Sequence, residues 1–358
     1  MRCTKEGAGL DRLIALAKPI LLQAELKNPR KGPGRKPEIP NWVMALLILV
    51  ATLKKKKSKS SQFRWLINNA AQIEPHLNGH RLPSRSTYFD RFKKLQAIVE
   101  ESIVLMGKKA IRHRWADATV AAVDKSLMIA KGPKWWKSDR NKRRIPKKLK
   151  GVDRECQWGF SSHHGWVQGY SFEVMVACGK NGVIWPLAAS VDVASMSEHR
   201  TFGNKIQYIP KSTRYVLADS GYDNNGFADQ IELNNNRSTG KRFLCPQNSR
   251  GKRRKKPAPQ HKNESKRKYA TRMRRARRSD YLQRKSSQQI FRLRSQSIEP
   301  FNEWFKSTFE LNDRVWHRGM DNNRTQVLTC ILAYQVLICS NCRKQRPSGK
   351  IRSILDAL

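Results

Sequence analysis

The sequence predicts an α/β protein in which a mixed sheet is flanked by helices and preceded by a helical N-terminal unit. Two patterns lead to this prediction. Before residue 115, apolar residues recur at helical spacing, whereas after residue 118 short strand-like runs alternate with helical segments. The chain also has 358 residues, of which 39% are hydrophobic, so it is long enough to bury a sizeable core.

The net charge of the chain is strongly positive. It contains 72 Lys and Arg residues against 28 Asp and Glu residues, a formal balance of +44. Such a chain is expected to bind a polyanion, and nucleic acid is the obvious one. Neutralised phosphates would then supply most of the affinity, which would fall steeply with salt. Basic ribosomal-type and membrane-surface proteins are the alternatives, and the length and apolar content argue against the first.

The cysteines and apolar runs indicate the compartment. Seven scattered cysteines do not suggest a disulfide framework. Cys339 and Cys342 form one Cys-x-x-Cys without a second pair, which favours reduced thiols over a zinc site. No secretory signal is recognised, and the longest apolar run, residues 43–53, is shorter than the roughly 20 residues that cross a bilayer. These features predict a cytoplasmic, nucleoid-associated protein.

Residues 1–115 are predicted to form a helical DNA-binding domain. A helix is expected over residues 10–26, followed by a basic linker rich in Pro and Gly. Three more helices are expected, at residues 41–53, at 62–73 and from 85 through 95, and residues 99–113 should link this unit to the next. Basic side chains accompany the apolar stripe of the last helix: Arg85, Arg91, Lys93 and Lys94. Such a helix suits insertion into a DNA groove, and a bundle with solvated charges is the alternative.

Residues 116–340 are predicted to form the α/β domain. A strand over residues 118–123 should end on Asp124, and a basic loop that contains Trp135 and Trp136 follows it. Cations beside aromatic rings can hold phosphates and stack on bases, although the loop could instead be disordered. A hairpin is expected from the runs at 170–178 and 183–191, then a helix at 197–206 and a strand that ends on Asp219.

The next segments complete this domain. Residues 226–233 predict a helix and residues 242–245 a short strand. Residues 246–296 form a basic insertion, and 17 Lys and Arg residues lie between positions 250 and 285 of it. Because like charges repel, we expect this tract to order on an anionic partner. A final apolar helix is expected at residues 325–338, and residues 341–358 form a C-terminal tail.

Residues 298–309 predict a short helix with one apolar and one polar face. Ser297 is the expected N-cap, and Pro300 would lie in the first turn. The apolar face contains Phe301, Trp304, Phe305 and Phe309. The polar face contains Glu299, Asn302, Glu303 and Lys306. A surface helix with a solvated Glu–Lys pair is the alternative interpretation.

Asp124, Asp219 and Glu299 are three carboxylates that two strands and one helix can bring to one edge of a sheet. Left unpaired there, they would repel one another. Mg²⁺ would relieve this repulsion, because it accepts carboxylate oxygens and keeps positions for water and phosphate. Two such ions about 3.5–4 Å apart can activate an attacking oxygen and stabilise a leaving one in phosphodiester chemistry. Singly, each acid has a structural alternative as a turn or surface residue; together they predict a metal site.

The sequence at these positions resembles the DDE transposases of bacterial insertion sequences. The resemblance covers about residues 118–338, and its motifs are Val123-Asp124-Lys125-Ser126, Leu217-Ala218-Asp219-Ser220-Gly221-Tyr222 and Ile298-Glu299 through Lys306. It implies a ribonuclease H-like catalytic domain, with the N-terminal helices in the place of a DNA-end-binding domain. It also implies that Asp124, Asp219 and Glu299 are catalytic residues that bind Mg²⁺, for which Mn²⁺ may substitute. Lys306, seven residues after Glu299, would hold a DNA phosphate.

The resemblance implies an enzyme that nicks double-stranded DNA at the ends of an element and joins the 3′-hydroxyl to target DNA, as a homodimer on DNA. One branch of the family has Tyr and Arg where this chain has Arg292 and Ser295, which leaves the sub-branch and any hairpin pathway open. A stand-alone nuclease and a non-catalytic nucleic-acid-binding protein, such as a decayed transposase, are the alternatives. Glu303 competes with Glu299 for the third acidic position, but only Glu299 has the lysine at the matching spacing.

Overall fold

A computed structural model of the chain describes residues 5–29, 37–135, 137–142, 149–161, 165–180, 182–234, 237–248, 259–312, 314–343 and 351–358. These residues form a six-stranded mixed sheet with helices packed around it and a separate pair of short strands, so the predicted α/β class with flanking helices is confirmed.

Six helices precede the sheet. Their bounds are α1 Lys5–Lys27, α2 Asn41–Leu53, α3 Lys59–Asn68, α4 Ala70–Ile73, α5 Arg85–Phe92 and α6 Gln96–Arg112. Helix α2 has the predicted bounds, and it is apolar on all sides because it is buried on all sides. The expectation of one helix from 85 through 95 was wrong. Helix α5, capped by Ser84, ends at Phe92, and the expected link at 99–113 is part of α6.

The sheet contains six strands. Their bounds are β1 Val120–Ile129, β2 Gln157–Ser161, β3 Gly165–Ala177, β4 Trp185–Val193, β5 Tyr215–Leu217 and β8 Arg242–Leu244. Two further strands, β6 Leu233–Asn234 and β7 Arg237–Ser238, pair only with each other. The long strand β3 runs antiparallel to β1 on one side and to β4 and β2 on the other. Strands β5 and β8 continue the sheet beyond β1, and both run parallel to it.

Eight helices follow the start of the sheet. Their bounds are α7 Lys137–Asn141, α8 Glu198–Thr201, α9 Asn225–Glu232, α10 Lys266–Leu282, α11 Lys285–Phe291, α12 Leu293–Thr308, α13 Met320–Arg343 and α14 Ile351–Asp356. Short 3₁₀ helices lie at Glu74–His76, Gly203–Tyr208 and Ser220–Tyr222. The predicted helix at 197–206 is therefore divided between α8 and the second of these 3₁₀ helices.

Helix α13 lies between the N-terminal helices and the sheet. It packs against α1, α2, α6 and β4, and Gln335 on it donates hydrogen bonds to the carbonyls of Ile103 on α6 (2.9 Å) and Pro186 on β4 (2.7 Å). By length and composition α13 could cross a membrane, but 94% of its most apolar stretch is buried in the protein. The same test is passed by the core helix of a globular domain, and α13 occupies such a position. One apolar core thus joins the helices before β1 to the sheet.

Candidate active site

Asp124 lies in the middle of β1 rather than at its end. The predicted strand end at this residue was wrong, because β3 is long enough to pair with β1 from Ala121 through Ile129. Asp124 is opposite Val174, and the next pair is Lys125 with Glu173. Successive side chains of a strand point to opposite faces, so Asp124 and Lys125 lie on different sides of the sheet. Residues before and after Asp124 pair with β3, so strand pairing restrains the Asp124 backbone.

Asp219 lies beside Asp124 because their strands are neighbours. In the parallel pair of β1 and β5, Ala122 is opposite Leu217, and each aspartate follows two residues later. The Asp219 carboxylate accepts a hydrogen bond from the backbone N–H of Gly221 at 3.0 Å, within the 3₁₀ turn Ser220–Tyr222 that follows β5. A Cβ atom at position 221 would lie 3.1 Å from Asp219 Oδ1 and 3.0 Å from Glu198 Cδ. Glycine therefore allows the turn to pass close to both carboxylates.

Glu299 is carried by α12, whose start differs from the prediction. The helix begins at Leu293, so Ser297 is not its N-cap; the Ser297 hydroxyl instead donates to the carbonyl of Leu293. Pro300 consequently lies within the helix rather than in its first turn. The buried side of α12 contains the rings of Phe301 and Phe305, which pack beside Tyr334 of α13, and Phe305 also contacts Phe172 of β3. Phe309, the C-cap residue, packs against Phe305. Trp304, which was expected on this face, is 47% exposed.

Two side chains of α12 contact Asp124, and one of them also contacts Glu299. Arg294 donates from Nη2 to Asp124 Oδ1 at 2.7 Å and from Nη1 to Glu299 Oε1 at 3.4 Å. Asn302 donates from Nδ2 to the other oxygen of Asp124 at 2.9 Å. The side chains of Arg294 and Asp124 are each 14% exposed, whereas that of Glu299 is 58% exposed. Arg294 and the role of Asn302 were missed from the sequence, although Asn302 lies one helical turn after Glu299.

Asp124 differs from an ordinary surface carboxylate in its proton affinity. Burial raises its pKa from 3.8 to about 6; Arg294 opposes this rise, and the charge of Asp219 adds to it. On the opposite face of the sheet, burial raises the pKa of Glu173 well above its usual value, with Lys125 opposing and Glu198 adding to the rise. Carboxylates are thus crowded on both faces of β1, as expected for a functional site.

Lys306 also lies at this site. Its ammonium is buried and donates to the carbonyl of Leu127 on β1 at 2.9 Å. Burial lowers the pKa of Lys306, and the nearby charge of Asp124 opposes the change. The phosphate contact expected for Lys306 remains a prediction, and its bond to Leu127 gives it a second role in holding α12 against the sheet. Glu303, the alternative third acid, is exposed.

The other residues expected to contact DNA lie away from the three acids in sequence. Arg85, Lys93 and Lys94 are exposed, with the Arg85 guanidinium over the ring of Phe89. Arg91 is half-buried and donates to the carbonyl of Ile39 and to Asn41 Oδ1.

Of the two tryptophans of the basic loop that were expected to contact DNA, the structure describes only Trp135. Trp135 is buried, and its backbone N–H donates to Gln168 Oε1 at 2.8 Å. Trp136 lies outside the described residues, as do residues 143–148 of the same loop. The DNA contacts of both parts of the chain remain predictions.

The basic insertion contains a regular helix, α10, whose arginines bind acidic residues of the same chain. Arg274 and Arg278 contact Asp229 of α9, Arg275 contacts Asp223, and Arg272 contacts Glu264. The expectation that this tract orders only on an anionic partner was therefore wrong for residues 266–282, because internal carboxylates neutralise part of its charge. Residues 249–258 of the insertion lie outside the described part of the chain.

The donor set at the candidate site suits a hard divalent cation. Asp124, Asp219 and Glu299 supply carboxylate oxygens, which Mg²⁺ and Mn²⁺ prefer. A cation, the guanidinium of Arg294, already bridges two of these acids. Among the described residues, no three acidic, His or Cys side chains stand close enough together to hold an ion in this arrangement. The residues therefore fit a metal ion by their chemistry, and binding requires Glu299 and Arg294 to rearrange.

Comparisons with known proteins agree with this geometry. The family model described as a transposase DDE domain matches residues 108–336, which include all three acids. No curated protein sequence matches the chain significantly. A solved structure titled as a piggyBac transposase synaptic complex with hairpin DNA is similar in 99% of this chain and 80% of its own, with 9% identity and a TM-score of 0.40. That similarity is too low to carry an argument about function.

Proposed function

Because this chain belongs to the transposase DDE domain family, as the resemblance of its motifs implied, we propose that it cuts DNA strands and transfers them to target DNA. In this proposal the protein moves an insertion sequence through metal-dependent cleavage at the element ends. Asp124, Asp219 and Glu299 are its catalytic and metal-binding residues, and Mg²⁺ is the cofactor, with Mn²⁺ as a substitute.

One observation carries the proposal: the two aspartates occupy equivalent positions on neighbouring parallel strands, and Glu299 is linked to the first of them through one guanidinium. Burial and the neighbouring charge of Asp219 raise the pKa of Asp124, and such perturbed carboxylates are common at functional sites. The same three residues lie within the family match.

The residues of this chain have separate tasks in the proposed reaction. Asp124 and Asp219 hold fixed positions, since strand pairing restrains the first and the Gly221 N–H binds the second. Asn302 orients the Asp124 carboxylate through its Nδ2 donor. Bound divalent ions would supply the positive charge that activates the attacking oxygen and stabilises the leaving one. Lys306, on the buried side of α12, would approach a phosphate of the DNA.

We also propose that the catalytic region has the ribonuclease H-like fold. The strand order β4-β3-β1-β5-β8 supports this assignment. In that order β3 is antiparallel to both of its neighbours, whereas β5 and β8 run parallel to β1. In this arrangement Asp124 lies on the central strand β1, and Asp219 follows its parallel neighbour β5. Glu299 lies on α12, which packs across β1.

Double-stranded DNA is the proposed partner, both as element ends and as target. The net charge of +44 supports it, since neutralised phosphates drive such binding. Exposed cations of α5 and its C-terminal turn, Arg85, Lys93 and Lys94, are proposed contacts. We further propose a homodimer on DNA, and a nucleoid-associated location in the cytoplasm.

The proposal is tested by incubating the purified protein with DNA that carries its coding region and both flanking sequences. We expect Mg²⁺-dependent strand cleavage at the element boundaries. Asp124→Asn, Asp219→Asn and Glu299→Gln should each reduce cleavage to background while leaving salt-sensitive DNA binding intact. Glu303→Gln, one turn further along α12, is the matched control and should retain activity. Undiminished cleavage by Asp124→Asn would refute the assignment.

A second assay separates the alternatives. A labelled DNA end with a free 3′-hydroxyl is offered together with a target plasmid. A transposase joins the two, whereas a stand-alone nuclease of the same fold cleaves DNA but makes no joined product. A non-catalytic binding protein does neither with Mg²⁺ or Mn²⁺.

A further inference from the structure

We propose that Arg294 is an internal counter-ion that occupies the place of a divalent ion between Asp124 and Glu299 and must leave when that ion binds. Arg294 would thereby set the metal affinity of the site. This inference rests on the proposed function, since it takes these two acids as metal ligands.

The contacts of Arg294 are with the oxygens that an ion would need. Its Nη2 donates to Asp124 Oδ1 at 2.7 Å and its Nη1 to Glu299 Oε1 at 3.4 Å. A guanidinium N–H and a hard cation bind the same lone pairs of a carboxylate, so the two compete for each oxygen. Because the Arg294 and Asp124 side chains are each 14% exposed, solvent screens the attraction between them only weakly, and an ion must compete with nearly all of it.

Arg294 is bound less completely than two arginines of α10, Arg272 and Arg274. Arg272 and Arg274 each bind one carboxylate through both Nε and Nη2, with distances of 2.8–3.2 Å. Arg294 instead divides its two Nη atoms between two acids. Its Nε is buried without a hydrogen-bond partner among the described residues, and so is Oδ1 of Asn302. Arg294 Nε is a donor and could bond only to an acceptor such as water, whereas Asn302 Oδ1, beside Asp124, is an acceptor oxygen of the kind that a hard cation binds.

Asp124 would remain anchored after the exchange. Asn302 binds its second oxygen at 2.9 Å, and strand pairing holds its backbone. Glu299 has no such constraint in its exposed position, and it can turn towards the ion once Arg294 has left. The exchange thus requires movement of two side chains on α12 and none of the sheet.

The test is Mn²⁺ binding to the full chain, measured by calorimetry and by the electron paramagnetic resonance of free Mn²⁺. Arg294→Met should bind Mn²⁺ about tenfold or more tightly than the original chain, because a buried charge-assisted contact no longer has to be broken. Arg294→Lys keeps the charge but cannot contact both acids, so it should also bind more tightly, by a smaller factor. Arg292→Met, an exposed arginine at the start of the same helix, should leave the affinity unchanged.

Equal or weaker binding by folded Arg294→Met would overturn the proposal. So would tighter binding by Arg294→Met combined with unchanged binding by Arg294→Lys, since distant charge repulsion would then suffice. Should the Met variant fail to fold by circular dichroism, the Lys variant alone decides between these outcomes.

The failure of this inference is distinguishable from failure of the proposed function. If the original chain binds Mn²⁺ and Asp124→Asn abolishes the binding, the metal site stands whatever the Arg294 variants do. If neither the original chain nor any variant binds Mn²⁺, both the inference and the metal-dependent function fail.

Discussion

Helices α10 and α12 both bring arginines to carboxylates, but they do so in different surroundings. The Arg274–Asp229 pair of α10 is 36% and 27% exposed, whereas the Arg294–Asp124 pair of α12 is 14% and 14% exposed. Around α12 the neighbours are buried aromatic rings, and around α10 they are other charged side chains. The same chemical pair is therefore partly solvated at the surface on one helix and largely shielded from solvent at the candidate site on the other.

The largest effect on the free energy of unfolding is expected from a substitution in the buried aromatic face of α12. Phe305→Ala on α12 is expected to lower the free energy of unfolding by about 3–5 kcal/mol, because it removes a fully buried ring. Trp304→Ala, at the neighbouring and 47% exposed position, is the control and should cost much less. Denaturation with guanidinium chloride measures both. Similar losses for the two variants would show that α12 does not pack as described.

The buried pair on α12 should make stability depend on pH. The pKa of Asp124 is raised to about 6 in the folded protein from 3.8, so its favourable contribution is complete below pH 3.8 and is lost as the pH rises through 6. Raising the pH from 4 to 8 in metal-free buffer is therefore expected to lower the unfolding free energy of the original chain, relative to that of Asp124→Asn, by on the order of 1–3 kcal/mol. Denaturation with guanidinium chloride at the two pH values measures this difference. A difference between the two proteins that does not change with pH would show that Arg294 compensates the charge fully.

An intermediate effect is expected for Lys306→Met. The substitution leaves the buried carbonyl of Leu127 without its donor, which should cost about 1–2 kcal/mol of unfolding free energy. If Lys306 also contacts a phosphate, the slope of log affinity against log salt should fall by about one. Thermal unfolding and DNA binding at several salt concentrations measure the two effects separately. A changed stability with an unchanged slope would restrict Lys306 to its structural role.

The smallest effect is expected on α10. Arg274→Ala should lower the unfolding free energy by less than about 1 kcal/mol, because its pair with Asp229 is partly solvated and Arg278 also contacts that carboxylate. Raising the salt concentration should reduce the effect further. A loss as large as that for Phe305→Ala would mean that α10 contributes to the core as α12 does.

The sequence predicted strands β1, β3, β4, β5 and β8, helices α9 and α13 and the span of α2, since each rests on a local pattern. The roles of Asp124, Asp219 and Glu299, which rest on motifs, remain predictions. The sequence did not predict that β1 continues past Asp124, because strand length depends on the partner β3, which lies some 50 residues away in sequence. Arg294 and Asn302 were missed for a similar reason, because their contacts with Asp124 depend on where α12 crosses β1. The arginines of α10 pair with acids of α9, which lie far from them in sequence, so charge density alone could not predict how this tract is neutralised.

The strand pairing around Asp124 has a consequence for how the proposed reaction centre would be assembled. One acid is built into the rigid middle of the sheet and a second is tied to its own turn, so neither can travel far. A closing motion of the proposed centre would then come from the helical side, where the Glu299 side chain is 58% exposed and is held by one 3.4 Å contact with Arg294. A DNA strand that presses on α12 would act on the one adjustable part of the centre, and docking of the substrate and completion of the catalytic group would become a single event.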